Sequence, residues 1–441
     1  MKILALDIYR NVDHRISKDT SGGYGTGNNF GDSFIPSYLK KKLKKIHDWS
    51  PMFLAYTISV LNQKGHKVVF SKELPKDYED YDAYIIATSI VCCESEIEII
   101  KKLSSIGKKV FAIGPFATNV PQVYVNAGAY VVSGEPEFFF LQTDNFLDNL
   151  NEKIITFNHD FDLDELPYPA WEQMIENPKN VSNLFGNYST IPVLATRGCP
   201  YSCFKYCVYP LQQGRKVRQR NVSKIVDELQ HWKNKMGISM FVFRDPVFSI
   251  NKKHTIEFAN ELINRNINIK FIIETHLRIL DGELIKLLKK AGLSAVKVGV
   301  ESANKEVLKD ANRFTIEKDD QFKKIRELEK NKIQVSAMFI LGFPSDEEES
   351  MNKTILYAKK LNTTYAQFSV WTPYPGTPVF KEFEDKIIVK DYESFDQYNL
   401  IYRHKTLSPA TVRKFLDKAY KKYYASPVWL FKFLKSFMLN A

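Results

Sequence analysis

Short apolar runs separated by longer amphipathic stretches repeat along most of this chain, with the period switching between two and about 3.6 residues. In the first third, residues 2–7, 67–70, 83–88, 109–113 and 129–132 read as strands, while 52–64 and 94–105 carry helical spacing. Strands alternating with helices predict a parallel sheet covered on both faces. Ligands of such a sheet bind beyond the carboxyl ends of its strands. Three of those ends are small, polar or turn-forming: Thr88-Ser89, Gly114-Pro115 and Ser133-Gly134-Glu135-Pro136-Glu137.

From residue 191 the alternation resumes. Strands are predicted at 191–195, 240–243, 269–273, 295–300, 333–340 and 366–371, with helices at 222–236, 254–264, 282–291, 319–330 and 347–361. Six such units fit a partial (β/α)6 barrel of the TIM type, whose functional residues come from the carboxyl ends of strands. Those ends are polar: Arg244-Asp245, Glu274-Thr275-His276, Glu301-Ser302, Gly342-Phe343-Pro344 and Thr372 to Gly376. A carboxylate at a barrel mouth costs solvation unless it binds something.

The fold class is therefore α/β. A doubly wound Rossmann-like domain is expected over 1–148, a proline-pinned linker over 149–188, the barrel over 189–380 and a helical region over 381–441. The linker contains Leu166-Pro-Tyr-Pro-Ala-Trp171 and a polar stretch at 177–187. In the helical region, Ser408-Pro409 opens a helix through Tyr424, and 426–439 sets apolar residues against lysines. That last stretch is expected to dock on the barrel, with a membrane surface as the alternative. A glycine-rich insert, residues 20–31, follows the first strand on the ligand side of the sheet. A phosphate cradle, a lid, a cofactor-edge contact and a plain loop all remain open for it.

At 441 residues, with 44% hydrophobic and 13% aromatic content, the chain has ample material for two or three cores. Its formal charge of +11 is concentrated partly near the C-terminus, in Arg413, Lys414, Lys418, Lys421, Lys422, Lys432 and Lys435. Aromatics do not interleave with basic residues on one platform, so no nucleic-acid partner is expected. Met1 leads straight into a strand-like run without a signal-peptide pattern, which reads as cytoplasmic, and no run approaches a membrane span.

Five cysteines are present, and three of them, Cys199, Cys203 and Cys207, fall within nine residues. Cys92 and Cys93 read as buried thiols. Structural zinc wants four ligands, and no fourth Cys or His follows before His231. Three thiolates on one loop suit an iron–sulfur cluster with one iron left open.

The run Arg197-Gly-Cys-Pro-Tyr-Ser-Cys-Phe-Lys-Tyr-Cys207 resembles the radical S-adenosylmethionine (SAM) superfamily, whose usual motif is C-x-x-x-C-x-x-C. Here three residues, Phe204, Lys205 and Tyr206, separate the last two cysteines instead of two. The resemblance implies a [4Fe–4S] cluster on the three cysteines, with SAM on the fourth iron and Tyr206 near its adenine. Asp245-Pro-Val-Phe, Gly299-Val-Glu-Ser302 and Pro373-Tyr-Pro-Gly-Thr377 are similar to the strand-end signatures of the cobalamin-type members. By position they imply Glu301 at the SAM ribose, Gly342 beside the adenine, and Glu274 and Asp245 at the ammonium group or substrate.

The ends of the first sheet resemble the cobalamin-binding domain that precedes many of these enzymes. Thr88, Ser89, Gly114, Pro115, Gly134 and Glu135 would surround the corrin, although no Asp-x-His-x-x-Gly offers a lower axial histidine. The implied activity is reductive SAM cleavage to a 5′-deoxyadenosyl radical followed by cobalamin-dependent methylation of an unactivated carbon. A cyclase or oxidase without methyl transfer, and a non-catalytic iron–sulfur protein, are the alternatives. The implied partners are a small-molecule or lipid-linked substrate and a one-electron reductant such as flavodoxin or ferredoxin, with peripheral membrane contact through the last helix.

Overall fold

A computed structural model describes residues 1–44, 49–148, 150–157, 161–175 and 189–438. Its frame is a pair of six-stranded parallel sheets. The first contains β1 (Lys2–Leu6), β2 (Lys67–Ser71), β3 (Ala83–Ala87), β4 (Lys109–Ile113), β5 (Tyr130–Val132) and β6 (Ile154–Ile155). Their spatial order is β2-β1-β3-β4-β5-β6. Because β1 pairs with both β2 and β3, the winding reverses beside it, and a crevice opens at the ends of β1 and β3. β6 lies inside the stretch expected to be linker, and two isoleucines are too short a run to show a period.

The second sheet contains β7 (Thr190–Val193), β8 (Met240–Phe243), β9 (Lys270–Glu274), β10 (Leu293–Glu301), β11 (Gln334–Leu341) and β12 (Tyr365–Val370). Each strand pairs in parallel with the next, which is the winding of a partial barrel. Along β11 every second residue is buried against the helices, while the alternate set faces the barrel interior and is only half-buried.

The open edge of β12 is covered by the helix Pro409–Tyr424, which Ser408 caps by accepting from the Thr411 N–H. Tyr420 accepts from the Phe368 N–H at 3.1 Å and donates to its carbonyl at 2.9 Å. Tyr424 does the same for Ala366, at 3.1 and 2.7 Å. Two tyrosine hydroxyls thus satisfy a strand edge that would otherwise be unpaired. Trp429 of the next helix donates to Thr364 O at 3.0 Å, so this region docks on the barrel.

Of the expected linker, Ala170 donates to Ala55 O at 3.0 Å and Trp171 is completely buried. The polar stretch 177–187 lies outside the described residues. Among the described residues, no helix is long and apolar enough to cross a membrane. The glycine-rich insert folds as a small antiparallel hairpin, Ile16–Ser17 against Thr26–Gly27, that lies over the crevice between β1 and β3.

Candidate active site

After β7 the chain makes a short antiparallel ladder, Thr196–Arg197 against Arg218–Gln219, that closes the cysteine loop at its base. Gly198 sits at φ +98°, and a Cβ there would lie 2.0 Å from the Lys216 carbonyl oxygen, so no other residue fits the crossing. Cys199 donates from its N–H to Gly214 O at 3.1 Å. The extra residue of the motif is absorbed by a 3₁₀ turn, Ser202–Lys205, after which the Tyr206 and Cys207 N–H groups both reach Cys203 O, at 3.2 and 3.0 Å. That turn brings the Cys203 and Cys207 thiols into hydrogen-bond contact. Cys199 and Cys203 are buried, and Cys207 is half-buried.

The loop opens onto the carboxyl ends of β9 and β10. Arg313 places its guanidinium 3.6 Å from Cys203 Sγ, 3.1 Å from Glu301 Oε1 and 3.3 Å from Gly299 O. The hydrogen bond from the Cys207 thiol lowers Cys203 to about 6 against its burial, and Arg313 assists. Glu301 adopts φ +64° where the β10–β11 register shifts, so a bulge turns its carboxylate into the mouth. Burial raises its pKa, and Arg313 opposes the rise. Glu274 accepts from the Tyr209 hydroxyl at 3.0 Å and lies 3.4 Å from both Arg244 and Lys297. Burial would raise this carboxyl, yet Lys297 and Arg244 together hold it below the usual range. The Tyr206 ring meets Phe343 edge-on at 5.9 Å.

Two expectations need correcting. Asp245 does not face the mouth: its carboxylate accepts from the Ala195 N–H at 3.2 Å and from the Thr196 N–H, and it is completely buried. It anchors the start of the cysteine loop. Gly342, at φ +72°, approaches Val412 of the C-terminal helix, 3.3 Å from where its Cβ would lie, and its carbonyl accepts from Tyr402. Its bare backbone is spent on that packing.

The ends of the first sheet are likewise engaged. Thr88 donates to Ile113 O at 2.8 Å, and Ser89 gives Glu96 two hydrogen bonds, at 3.1 Å from N–H and 3.0 Å from hydroxyl. A Cβ on Gly114 would meet the Phe53 ring at 2.6 Å, and Pro115 lies against Gly23. Gly134 donates to Thr118 Oγ1 at 2.9 Å. Glu135 accepts from Arg218 at 2.7 Å and from Arg197, and Arg197 also lies 2.6 Å from Glu137. Burial would raise Glu135, but the two arginines hold it below the ordinary carboxylate range. The cavity left among Gly114, Gly134, Glu135, Phe53 and Arg197 has a volume of about 20 Å³, room for a single water.

A sequence profile of the Radical SAM superfamily matches residues 193–358, from the end of β7 past β11. Those residues form a radical SAM domain. An uncharacterized methyltransferase of Pyrococcus horikoshii is 27% identical over 61% of this chain, and the match spans 58% of that protein's own length. The bacteriochlorophyllide d C-12(1)-methyltransferase of Chlorobaculum tepidum is 25% identical over 79% of this chain and 77% of its own. The anaerobic magnesium-protoporphyrin IX monomethyl ester cyclase of Cereibacter sphaeroides is 26% identical over 88% and 69%. In fold, the chain is similar to the radical SAM methyltransferase TsrM of Kitasatospora setae, solved with cobalamin and a [4Fe–4S] cluster. The TM-score is 0.61 at 16% identity, covering 87% of this chain and 78% of TsrM.

A radical SAM domain implies a [4Fe–4S] cluster and SAM, and the donor set of this loop fits that pair. Among the described residues no three His, Cys, Asp or Glu converge as they would on one metal ion. A cluster instead seats each thiolate on its own iron, and three cysteines leave one iron for SAM. A corrin, by contrast, has no room at the first sheet in this form, since Phe53, Arg197 and the hairpin fill its place.

Sequence reasoning did not single out Arg313, Lys297, Tyr209, Lys18 or Asp19. Arg313 lies in a loop, Lys18 and Asp19 in the hairpin turn, Lys297 in a strand and Tyr209 at the start of a short helix, and only the fold brings each to its charged partner. Arg197 had a signal, its place directly before Gly198-Cys199, but its partners lie some sixty residues away.

Proposed function

We propose that this chain is an enzyme that cleaves SAM reductively at a cluster held by Cys199, Cys203 and Cys207 and methylates an unactivated carbon of a small molecule. The observation that carries the reading is the meeting of the cysteine loop with the Arg313–Glu301 pair at the barrel mouth. When bound, the cluster supplies the electron that splits the sulfonium bond of SAM into methionine and a 5′-deoxyadenosyl radical, which takes a hydrogen atom from the substrate.

The chain's own residues bind and orient. Arg313 sets a positive charge beside Cys203, where it offsets the negative charge of the thiolates and of the SAM carboxylate. Glu301, aimed inward by its bulge, is placed to accept from ribose hydroxyls, and the Glu274, Lys297 and Arg244 group offers both signs of charge to the ammonium group or the substrate. Tyr206 and Phe343 form an apolar wall suited to the adenine.

Radical SAM enzymes take small-molecule substrates and an external one-electron reductant. A flavodoxin or ferredoxin suits the cytosol expected for this chain. Contact with a lipid surface rests on Val428, Leu430 and Phe431, which are exposed on the last helix.

Methyl transfer is supported by the names of two relatives, and ring closure, the second reading, by the cyclase. Cobalamin, bound in TsrM, would be the methyl carrier of the first reading only in a form of this chain that clears the first sheet for it. The test is anaerobic reconstitution with iron, sulfide, SAM and a strong reductant. Absence of 5′-deoxyadenosine from a sample with intact cluster would end the radical reading, and a product heavier by one methyl group separates methylation from ring closure.

A further inference from the structure

In doubly wound sheets of this strand order, the ligand crevice lies where the winding reverses, at the ends of β1 and β3. In this chain that crevice holds part of the chain itself. Lys18, on the hairpin after β1, is completely buried there. Its ammonium group lies 2.8 Å from Glu96 Oε1, 3.3 Å from Asp7 Oδ1 just past β1, and 3.2 Å from Ala87 O at the end of β3. Glu96 is held in turn by Ser89 and by the Tyr124 hydroxyl at 2.7 Å.

The next residues fill the gap between the sheet and the barrel. Tyr24 is completely buried, packs edge-on against Phe116 and Tyr374, and donates to Pro375 O at 2.8 Å. A Cβ on Gly23 would lie 2.7 Å from Pro115, one on Gly25 2.7 Å from Val91, and one on Gly22 3.1 Å from the Tyr209 backbone. These glycines let bare backbone thread between the strand ends and the segment that follows Cys207. Asp19, 2.9 Å from Arg244, ties the same turn to the barrel rim.

We propose that residues 18–25 and a corrin are alternative occupants of this crevice, so that the chain carries its own stopper and takes up cobalamin only when the hairpin withdraws. The inference rests on the cobalamin reading above. It follows from occupancy: of the strand ends expected to surround the corrin, the hairpin covers that of β3, where the Ile90 N–H donates to Tyr24 O, and touches Pro115 after β4; when it withdraws it takes Lys18, the partner of Asp7 and Glu96, with it. A cofactor that must wait for a minor open form binds more weakly by the fraction of that form.

The test uses the full chain with its cluster reconstituted, and hydroxocobalamin as the probe. Amide hydrogen exchange over 18–25 is followed with and without the corrin, and corrin retained after desalting is measured by absorbance. The same is done for Tyr24→Ala, which loosens the hairpin without unpairing a buried charge, and for Lys18→Met. Expected are slow exchange in the corrin-free protein, a rise over 18–25 when corrin is retained, and an apparent affinity at least about tenfold tighter in Tyr24→Ala. Retention by the Tyr24→Ala protein alone supports the stopper as well. One-to-one retention by the unaltered chain with 18–25 still protected overturns the stopper and leaves the cobalamin reading standing. No retention by the unaltered chain or by either variant, with the cluster intact, removes the cobalamin reading and the stopper with it.

Discussion

The Arg197 guanidinium lies 2.6 Å from the Glu137 carboxylate, and both groups are almost completely buried. Arg197 is two residues before Cys199, and Glu137 closes the motif at the end of β5, so this pair fastens the cysteine loop of the barrel to the first sheet. Replacing Arg197 with Met leaves two carboxylates short of a buried partner. The expected loss is about 3–5 kcal/mol of stability, read as a lower urea midpoint, and Glu137→Gln added to it should recover part of that loss. Unchanged unfolding in the single variant would show that the fastening carries no weight.

Cys207→Ala should lose the cluster, seen as loss of bound iron and of visible absorbance. Deleting Lys205 should not: it is an exposed residue at the end of the 3₁₀ turn that absorbs the added length, and the deletion restores the usual spacing. Full iron content in Cys207→Ala would mean that another group serves as the third ligand.

Arg313→Gln removes the positive charge shared by Cys203 and Glu301. Hydrogen bonds to charged groups contribute about 1.5–3 kcal/mol, which corresponds to a loss of SAM affinity of about 10- to 100-fold. Equilibrium dialysis with labelled SAM reads it directly, and Arg313→Lys should recover only part because it keeps the charge but not the fork.

Asp245 is pushed up to about 6 by burial, against the hydrogen bonds that it accepts from Thr196 and Ala195. Its pKa is thus higher folded than unfolded, where it lies near 3.8. The folded form binds the proton more tightly, so the stability this carboxyl contributes is present below about pH 4 and is lost as pH rises through about 6. The full difference is about 3 kcal/mol at most. Asp245→Asn should flatten the fall in urea midpoint between pH 4.5 and 6.5. An identical slope in both proteins would place the titration elsewhere.

Tyr420→Phe deprives Phe368 of both hydrogen bonds at the β12 edge. A cost of about 1–3 kcal/mol is expected, with faster amide exchange at Phe368 than at Val335 in the neighbouring β11.

Most of this architecture could be read from the residues alone. The runs at 109–113, 222–236, 240–243 and 282–291 match the observed elements to the residue, because periodic burial writes itself into the order of apolar positions. Less legible were elements without a period, such as the two-residue β6 and the hairpin around Lys18. The site divides along the same line. The cysteines announced themselves by spacing, whereas Asp245 and Gly342 stand at strand ends like ligand-binding residues but face, respectively, the loop backbone and a C-terminal helix. Strand-end position fixes where a residue stands, and the neighbouring loops decide what it meets.

The tyrosine pair on β12 also limits what can approach the barrel. Extended peptides often join a protein by lengthening a sheet, trading main-chain hydrogen bonds along an unpaired strand. On this side those bonds at Ala366 and Phe368 are already made, by side chains that a guest strand would first have to expel. A polypeptide arriving by strand addition is therefore turned away at this edge.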